Sequence, residues 1–326
     1  MTILTRRAAF ALPASLFAAS RARASDWPSR PIRLLVGFAA GGAHDGAARF
    51  VAPELGRILG QSVVVENRAG ASGNLMSQQL VGAPADGYTL GLAGLQITTN
   101  PWMIANPGYS PDDLVVVGQI AALPVVVIAS IKSGIRDFPG LIEAARRKDG
   151  GLTVASGGYG TTSHLGPELV FRNQGVRYTI VVYRGGGPAL QGLISGETDV
   201  TFDIASPGHR PNFEAGTLRP LAVLQGAREP ALPDIPAVAE FGLGPEVFVR
   251  SWLGLMVRAG TPPEIIARLH AALNEALAAP ELKQRMERLG MVVTPSPAQA
   301  DAQALYRGEL ARWGALIRAA NIRIEG

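Results

Sequence analysis

Cysteine is absent from the 326 residues, which excludes disulfides, thiolate metal sites and cysteine nucleophiles. Histidine is scarce: the four, at positions 44, 164, 209 and 270, show no metal-ligand spacing. No Gly-x-Ser-x-Gly elbow is present, no Gly-Lys-Ser/Thr follows any loop, and Gly158-x-Gly160 lacks the third glycine of a dinucleotide fingerprint. Nucleotide binding and the familiar serine-hydrolase layout therefore have little support. Charged residues make up only 17% of the chain, and no low-complexity segment or obvious linker divides it. With 47% hydrophobic residues the chain can bury a large core, and its length suggests two domains.

The formal charge of +4 invites a nucleic-acid reading, but its location argues against one. Residues 1–24 carry Arg6, Arg7, Arg21 and Arg23 and no acid. A basic start, an apolar run from Ala8 to Ala19 and the ending Ala22-Arg23-Ala24 describe a secretory signal peptide, cut before Ser25. Removing those four of the 30 basic residues leaves 26 against 26 acidic ones. The apolar run is short for a membrane span, and no later segment looks transmembrane. Thr5-Arg6-Arg7-Ala8-Ala9-Phe10 also resembles a twin-arginine signal. The expectation is an exported, periplasmic protein that does not bind nucleic acid.

Along the mature chain, Ile32–Phe38 reads as a buried strand entering a helix through Ala39-Ala40-Gly41-Gly42-Ala43-His44-Asp45. The first amides of a helix lack intrahelical partners and lie at the positive end of its dipole, so this turn can cradle an anion. Strands at Ser62–Val65 and Tyr88–Ala93, with a helix from Asn74 as cap to about Val81, complete a β-α-β-α-β unit. Pro53 should kink the first helix near Arg49. A β-rich stretch follows, Val115–Ile120 and Val125–Ala129, broken at Pro124. A second α/β set repeats the layout, with glycine-rich turns at Ser156–His164 and at Arg184-Gly185-Gly186-Gly187-Pro188. Strands at Thr198–Ile204, Leu218–Leu224 and Trp252–Val257 follow, then helices from Thr261 to the end around a short strand at Val292-Val293.

Several ordered blocks carry a family likeness: Trp27–Arg33, Gly41–Asp45, Val63–Arg68, Ala85–Leu90, Tyr183–Leu190, Leu218–Val223 and Leu232–Pro236. The sequence resembles the Bug family, periplasmic solute receptors of tripartite tricarboxylate transporters, over essentially all of the mature chain. That resemblance implies an α/β two-lobe periplasmic-binding-protein clamp, a type II-like Venus flytrap. Each lobe would be a mostly parallel sheet flanked by helices. Residues 25–123 with 224–326 would form the first lobe, and 124–223 an inserted second lobe. It further implies a small organic carboxylate between the lobes, no cofactor, no catalysis, membrane transporter subunits as partners and a monomeric receptor. The same clamp read by a membrane sensor kinase is left open by the residues.

Carried over position by position, the implied ligand set is Phe38, Ala40, Gly41, Gly42, Ala43, His44 and Asp45 from the first turn. Gln96 lies in the turn after the third strand, Gly94–Thr99, with Asn100-Pro101 beyond it. Ser156, Gly158, Gly160, Thr161, Thr162 and His164 come from the second lobe, with Tyr183, Arg184, Gly185, Gly186 and Asp203. The family usually has proline at positions 37 and 40 and a small or hydroxyl residue at 44. Gly37, Ala40 and His44 should therefore make the first turn looser and more polar at its rim, with His44 solvent-exposed and binding stronger when it is protonated. Asp45 suits a helix start, so capping is its leading role, with capture of a ligand ammonium the alternative. Arg184 is either a ligand contact or a solvated side chain, and Tyr159 and Tyr183 either line the pocket or pack. Ser163 and His164 with Asp203 invite a triad, yet adjacent helical residues point in different directions. His164 is expected to fix its turn through a backbone hydrogen bond.

Overall fold

The computed structural model describes residues 27–183, 185–204, 209–288 and 290–322. The signal-peptide reading, Arg184 and the turn beyond Ile204 fall outside the described residues. The chain opens with β1 (Ile32–Val36), α1 (Ala43–Leu59), β2 (Val63–Asn67), α2 (Asn74–Gly82), β3 (Thr89–Ala93) and α3 (Gln96–Met103). A long strand, β4 (Leu114–Ser130), leads into α4 (Phe138–Arg147), β5 (Leu152–Ser156), α5 (Thr162–Asn173), β6 (Tyr178–Val182), α6 (Gly186–Ser195) and β7 (Val200–Ile204). Then come α7 (Arg210–Glu214), β8 (Leu218–Val223), β9 (Arg250–Arg258), α8 (Pro263–Ala278), α9 (Pro280–Glu287), β10 (Val292–Val293) and α10 (Gln299–Ala320).

Two three-stranded parallel groups, β2-β1-β3 and β6-β5-β7, flank an antiparallel centre in the order β2-β1-β3-β9-β4-β7-β5-β6. Leu34 pairs with Val65 and Leu90 in the first group, and Val154 with Ile180 and Val200 in the second. The parallel strands are thus the outer part of each half, and β4, β8, β9 and β10 add antiparallel strands between them. The expected break at Pro124 is absent: β4 runs unbroken through 17 residues, nearly all buried. Pro124 pairs with Arg250 where β4 leaves β9 and β10 and takes up β7 and β8, so its missing amide falls at a change of partners.

The helices follow their apolar stripes. In α1, Ala47, Ala48, Val51, Ala52, Leu55 and Leu59 are buried, a core-facing spacing of three and four. That helix continues through Pro53 to Leu59, with exposed Arg49 supplying the carbonyl that loses its donor. Asn74 is not a cap: Gly73 holds the cap position and the Asn74 amide donates to the Pro107 carbonyl. One core gathers Leu34, Val51, Leu90, Leu255, Leu269 and Leu273, and another Val127, Phe138, Val154, Phe171, Phe202 and Trp313. The second core also takes Val238, Leu243 and Val249, so the return segment packs across onto that half.

Candidate functional site

Parallel strands end where their helices begin, and the two parallel groups run in opposite senses along β4, so the turns after β1 and β3 face those after β5 and β6. The turn after β1 is fixed from beneath by Asp45. Its buried carboxylate accepts from the Gly41 amide, Arg49 Nε and Asn67 Nδ2, each at 2.9 Å. Burial alone would raise the Asp45 pKa, but these donors together outweigh it and hold the group ionised below the usual carboxylate range. Asn67 also donates to the Phe38 carbonyl. Asp45 is thus a clasp inside the turn and not the helix cap, which is Gly42, and it occupies the Gly41 amide. Ala40 and Gly42 stay exposed at the turn, with Ala43 half-buried behind them.

Two further expectations for this turn fail. His44 is not a solvent-exposed rim residue: its ring lies against Phe38, centroids 4.4 Å apart, and its Nε2 is buried beside Gly94 and the Gln96 side chain. Burial pulls its pKa down to about 4, against the Gln96 contact, so the ring is neutral near neutral pH and charge-assisted binding there is not available to it. Nor does Gly37 loosen the turn. A Cβ there would stand 2.9 Å from Gly73 Cα, so glycine permits the β1 turn and the 70–73 turn to touch.

In the other half the turn after β5 is knotted by its own side chains. Ser163 Oγ accepts from the Gly157 amide, Ser156 Oγ from Gly158, and His164 Nδ1 from Gly160, while Thr161 Oγ1 donates to the Gly158 carbonyl. His164 therefore fixes the turn as expected, and burial pulls its pKa down to about 4. The hydroxyls of Ser156, Thr161 and Ser163 bond one another and the backbone, and His164 makes no hydrogen bond to any of them among the described residues. No triad is assembled among the described residues. Thr162 opens α5 and is buried. Gly185 and Gly186 press on Gly157, where an added Cβ would lie 3.0 Å from the Gly186 amide nitrogen. Asp203 Oδ2 lies near Gly186 and 3.9 Å from His209 Nε2. Burial pushes its carboxyl up, against the pull of His209 and of the Ile204 amide. Tyr183 leaves the group: its hydroxyl turns under α6 against Gly192, Glu197 and Thr198.

The two halves meet directly. Thr99 Oγ1 donates to the Gly160 carbonyl at 3.2 Å, Asn100 Nδ2 donates to the Ser72 carbonyl, and Ser72 Oγ is 3.7 Å from where a Cβ on Gly158 would stand. Ser72 and Thr99 were not singled out from the sequence. The signal lay in Gly70-Ala71-Ser72-Gly73, where Ala71 and Ser72 adopt positive φ values of 45° and 52°. Across all of these turns the described residues include no lysine or arginine. The starts of α1, α5 and α6 thus lie at these turns, with Gly42 and Gly186 exposed, and helix-start amides are neutral donors suited to an anion.

Known proteins share this fold. The model of the tripartite tricarboxylate transporter family receptor matches residues 47–322. The chain is 32% identical to the protein BugT of Bordetella pertussis over 307 residues, 93% of each chain. Two Rhodopseudomonas palustris structures superpose closely: Rpa4515 with adipate, at TM-score 0.85 and 33% identity, and MatC with bound malate, at 0.82 and 31%. They cover 92% and 89% of this chain and all of their own. Among the described residues no helix is long and apolar enough to cross a membrane. The two-lobed α/β architecture and the matches along its length agree: the chain belongs to the tripartite tricarboxylate transporter receptor family, and is a solute-binding protein of the periplasmic type rather than an enzyme.

Proposed function

We propose that this receptor closes its lobes, 25–123 with 224–326 and the inserted 124–223, around a small organic carboxylate, and that a membrane transporter subunit reads the closed form. The observation that carries this reading is the meeting of the two halves at glycine-rich helix starts, where Thr99 Oγ1 reaches the Gly160 carbonyl and no basic side chain stands among the described residues. Phe38, Ala40, Gly42, Ala43, His44 and Gln96 face the ligand from the first lobe. Gly158, Thr161, Thr162, Gly185 and Gly186 face it from the second. Asp45, Ser156, His164 and Asp203 hold the turns. Neutral donors bind a carboxylate without the desolvation cost of a buried ion pair and release it readily. The adipate and malate held by the two relatives support a dicarboxylate ligand. The receptor acts as a monomer in the periplasm after removal of residues 1–24.

A thermal-shift screen of organic acids tests the reading, since a ligand that binds only the folded state stabilises it by about 2.7 kcal/mol at a hundred times its Kd. A clear rise with at least one dicarboxylate is expected. No shift with any carboxylate at millimolar concentration refutes the proposal. N-terminal sequencing of the exported protein, expected to begin at Ser25, checks the processing.

A further inference from the structure

β2 is an edge of the sheet: β1 pairs with it on one side, and among the described residues no strand pairs with it on the other. The Ser62 carbonyl accepts from the Ile32 amide, and the Arg68 amide donates to the Val36 carbonyl. Alternate residues of a parallel ladder bond to the same neighbour, so the amides and carbonyls of Val63 and Val65 face outward. Edge strands are commonly guarded by a free charge, a proline or a bulge. β2, Val63-Val64-Val65-Glu66-Asn67, has no proline and pairs with β1 without a shift in register. Its one charge, Glu66, is taken up by Arg33 and Arg68, and Val64 is 47% exposed.

This open edge borders a groove of about 670 Å³ between β2 and α1. Ala52, Pro53 and Gly56 line it from the helix and Val63 and Val65 from the strand, and Arg49 is the one charged side chain in its lining. Arg49 is exposed; its Nε donates to Asp45 and its Nη2 to Asn67, which leaves Nη1 without a partner among the described residues. The groove therefore presents outward main-chain groups, an apolar bed for alternate side chains and a cation at one end. That end is continuous with the ligand turn, because the same guanidinium holds the Asp45 clasp.

We propose that an extended periplasmic segment of the membrane transporter subunit docks in this groove by adding a strand to β2, with apolar side chains at alternate positions and a carboxylate on Arg49. The proposal rests on the receptor reading and names the surface that the transporter reads. A second copy of this chain suits the groove less well, because the carboxylate its β2 would bring, Glu66, is already held by Arg33 and Arg68.

The test uses the receptor lacking residues 1–24, its own membrane subunits in proteoliposomes and the organic acid that gives the largest thermal shift. Wild type floats with these vesicles and not with empty ones. Val65→Lys sets an ammonium in the groove, and Val63→Pro removes an outward amide while sparing the ladder to β1. Each lowers retention about ten-fold, while acid affinity by calorimetry stays within about two-fold of wild type. Two variants are used so that misfolding of one leaves the other to decide. Val182→Lys, on β6 at the opposite edge of the sheet, floats like wild type. The chain has no cysteine, so Val64→Cys carries a single benzophenone, and mass spectrometry places its adduct on a periplasmic segment of the transporter bearing an acidic residue.

Undiminished retention of folded Val65→Lys or Val63→Pro, an equal loss with Val182→Lys, or an adduct confined to a second receptor overturns this proposal, while wild-type acid binding leaves the receptor reading intact. A wild type that binds its acid but ignores the transporter vesicles overturns the transporter partnership and this proposal together. If no acid shifts the wild type, the carboxylate reading fails, and this proposal with it.

Discussion

Replacing Asp45 by alanine removes the clasp of the first turn, and the structure sets the size of the effect. Three donors lose their acceptor at once: the Gly41 amide, Asn67 Nδ2 and Arg49 Nε. Gly41 and Arg49 are exposed and can rehydrate, whereas Asn67 is half-buried and keeps only the Phe38 carbonyl. Hydrogen bonds to an ionised group contribute roughly 1.5 kcal/mol or more when partly buried, an exposed ion pair about 0.5, and the charge at a helix start about 0.5. Together these give about 2.5 kcal/mol. For a domain of roughly 300 residues an unfolding entropy near 2 cal/mol/K per residue turns that into a Tm drop of about 4 °C. Asp45→Asn, which keeps one acceptor, should lose about half as much, and Arg49→Ala about 1 °C. Because the Asp45 pKa is lowered on folding, its contribution is complete above the usual carboxylate range and disappears as acid protonates it. Calorimetric melts of wild type and Asp45→Ala should therefore differ by a constant amount from pH 6 to 8 and converge below about pH 4. A Tm within 1 °C of wild type at neutral pH, or a gap that widens in acid, would refute the reasoning.

Three further outcomes are expected. Gly157→Ala places a methyl 3.0 Å from the Gly186 amide nitrogen and 3.1 Å from the Gly185 carbonyl carbon, so the two second-lobe turns must part. A loss of about 1–2 kcal/mol in chemical denaturation, with weakened acid binding, is the expected result, and wild-type values for both would contradict it. Thr99→Val removes the hydroxyl that donates to the Gly160 carbonyl across the cleft. Affinity should fall several-fold, about 1 kcal/mol, with little change in the melting of the unliganded protein, and unchanged affinity would count against a closed-state contact. Since the His44 pKa is down at about 4, its protonation state is constant from pH 5.5 to 8. Titrations across that range should give the same pH profile for wild type and His44→Gln, and a wild-type gain of affinity on acidification, absent in the variant, would show the ring charging.

Much of the fold was legible because its strands are continuous apolar runs and its helices carry plain amphipathic stripes, as in α1 and α8. Pro124 misled because a proline reads as a break locally, while the exchange of β4's partners is a tertiary fact. Asn74 misled for a similar reason: its side chain finds the Pro107 carbonyl, 33 residues away, in place of the helix start. At the site, His164 was readable as fixing its turn through a backbone hydrogen bond, and Asp45 as a favourable charge at a helix start, though not as the clasp on Gly41. His44 was not. Charge beside an exposed glycine turn suggests a rim, and only the packing of Phe38, Gly94 and Gln96 around it turns the ring inward. Tyr183 points away because the space over Gly192 receives its hydroxyl, a long-range fit with no local signature.

One strand has a consequence for how the protein comes apart. β4 holds β9 and β10 along its first half and β7 and β8 along its second, with register fixed on both. Two modules hung on a flexible tether melt separately, each at its own temperature. Here the loss of either module strips partners from the same ribbon of backbone and leaves the other with an unpaired edge in its middle. The denaturation transition should therefore be single, with calorimetric and van't Hoff enthalpies in agreement. Damage anywhere in one module then lowers the melting temperature of the whole receptor.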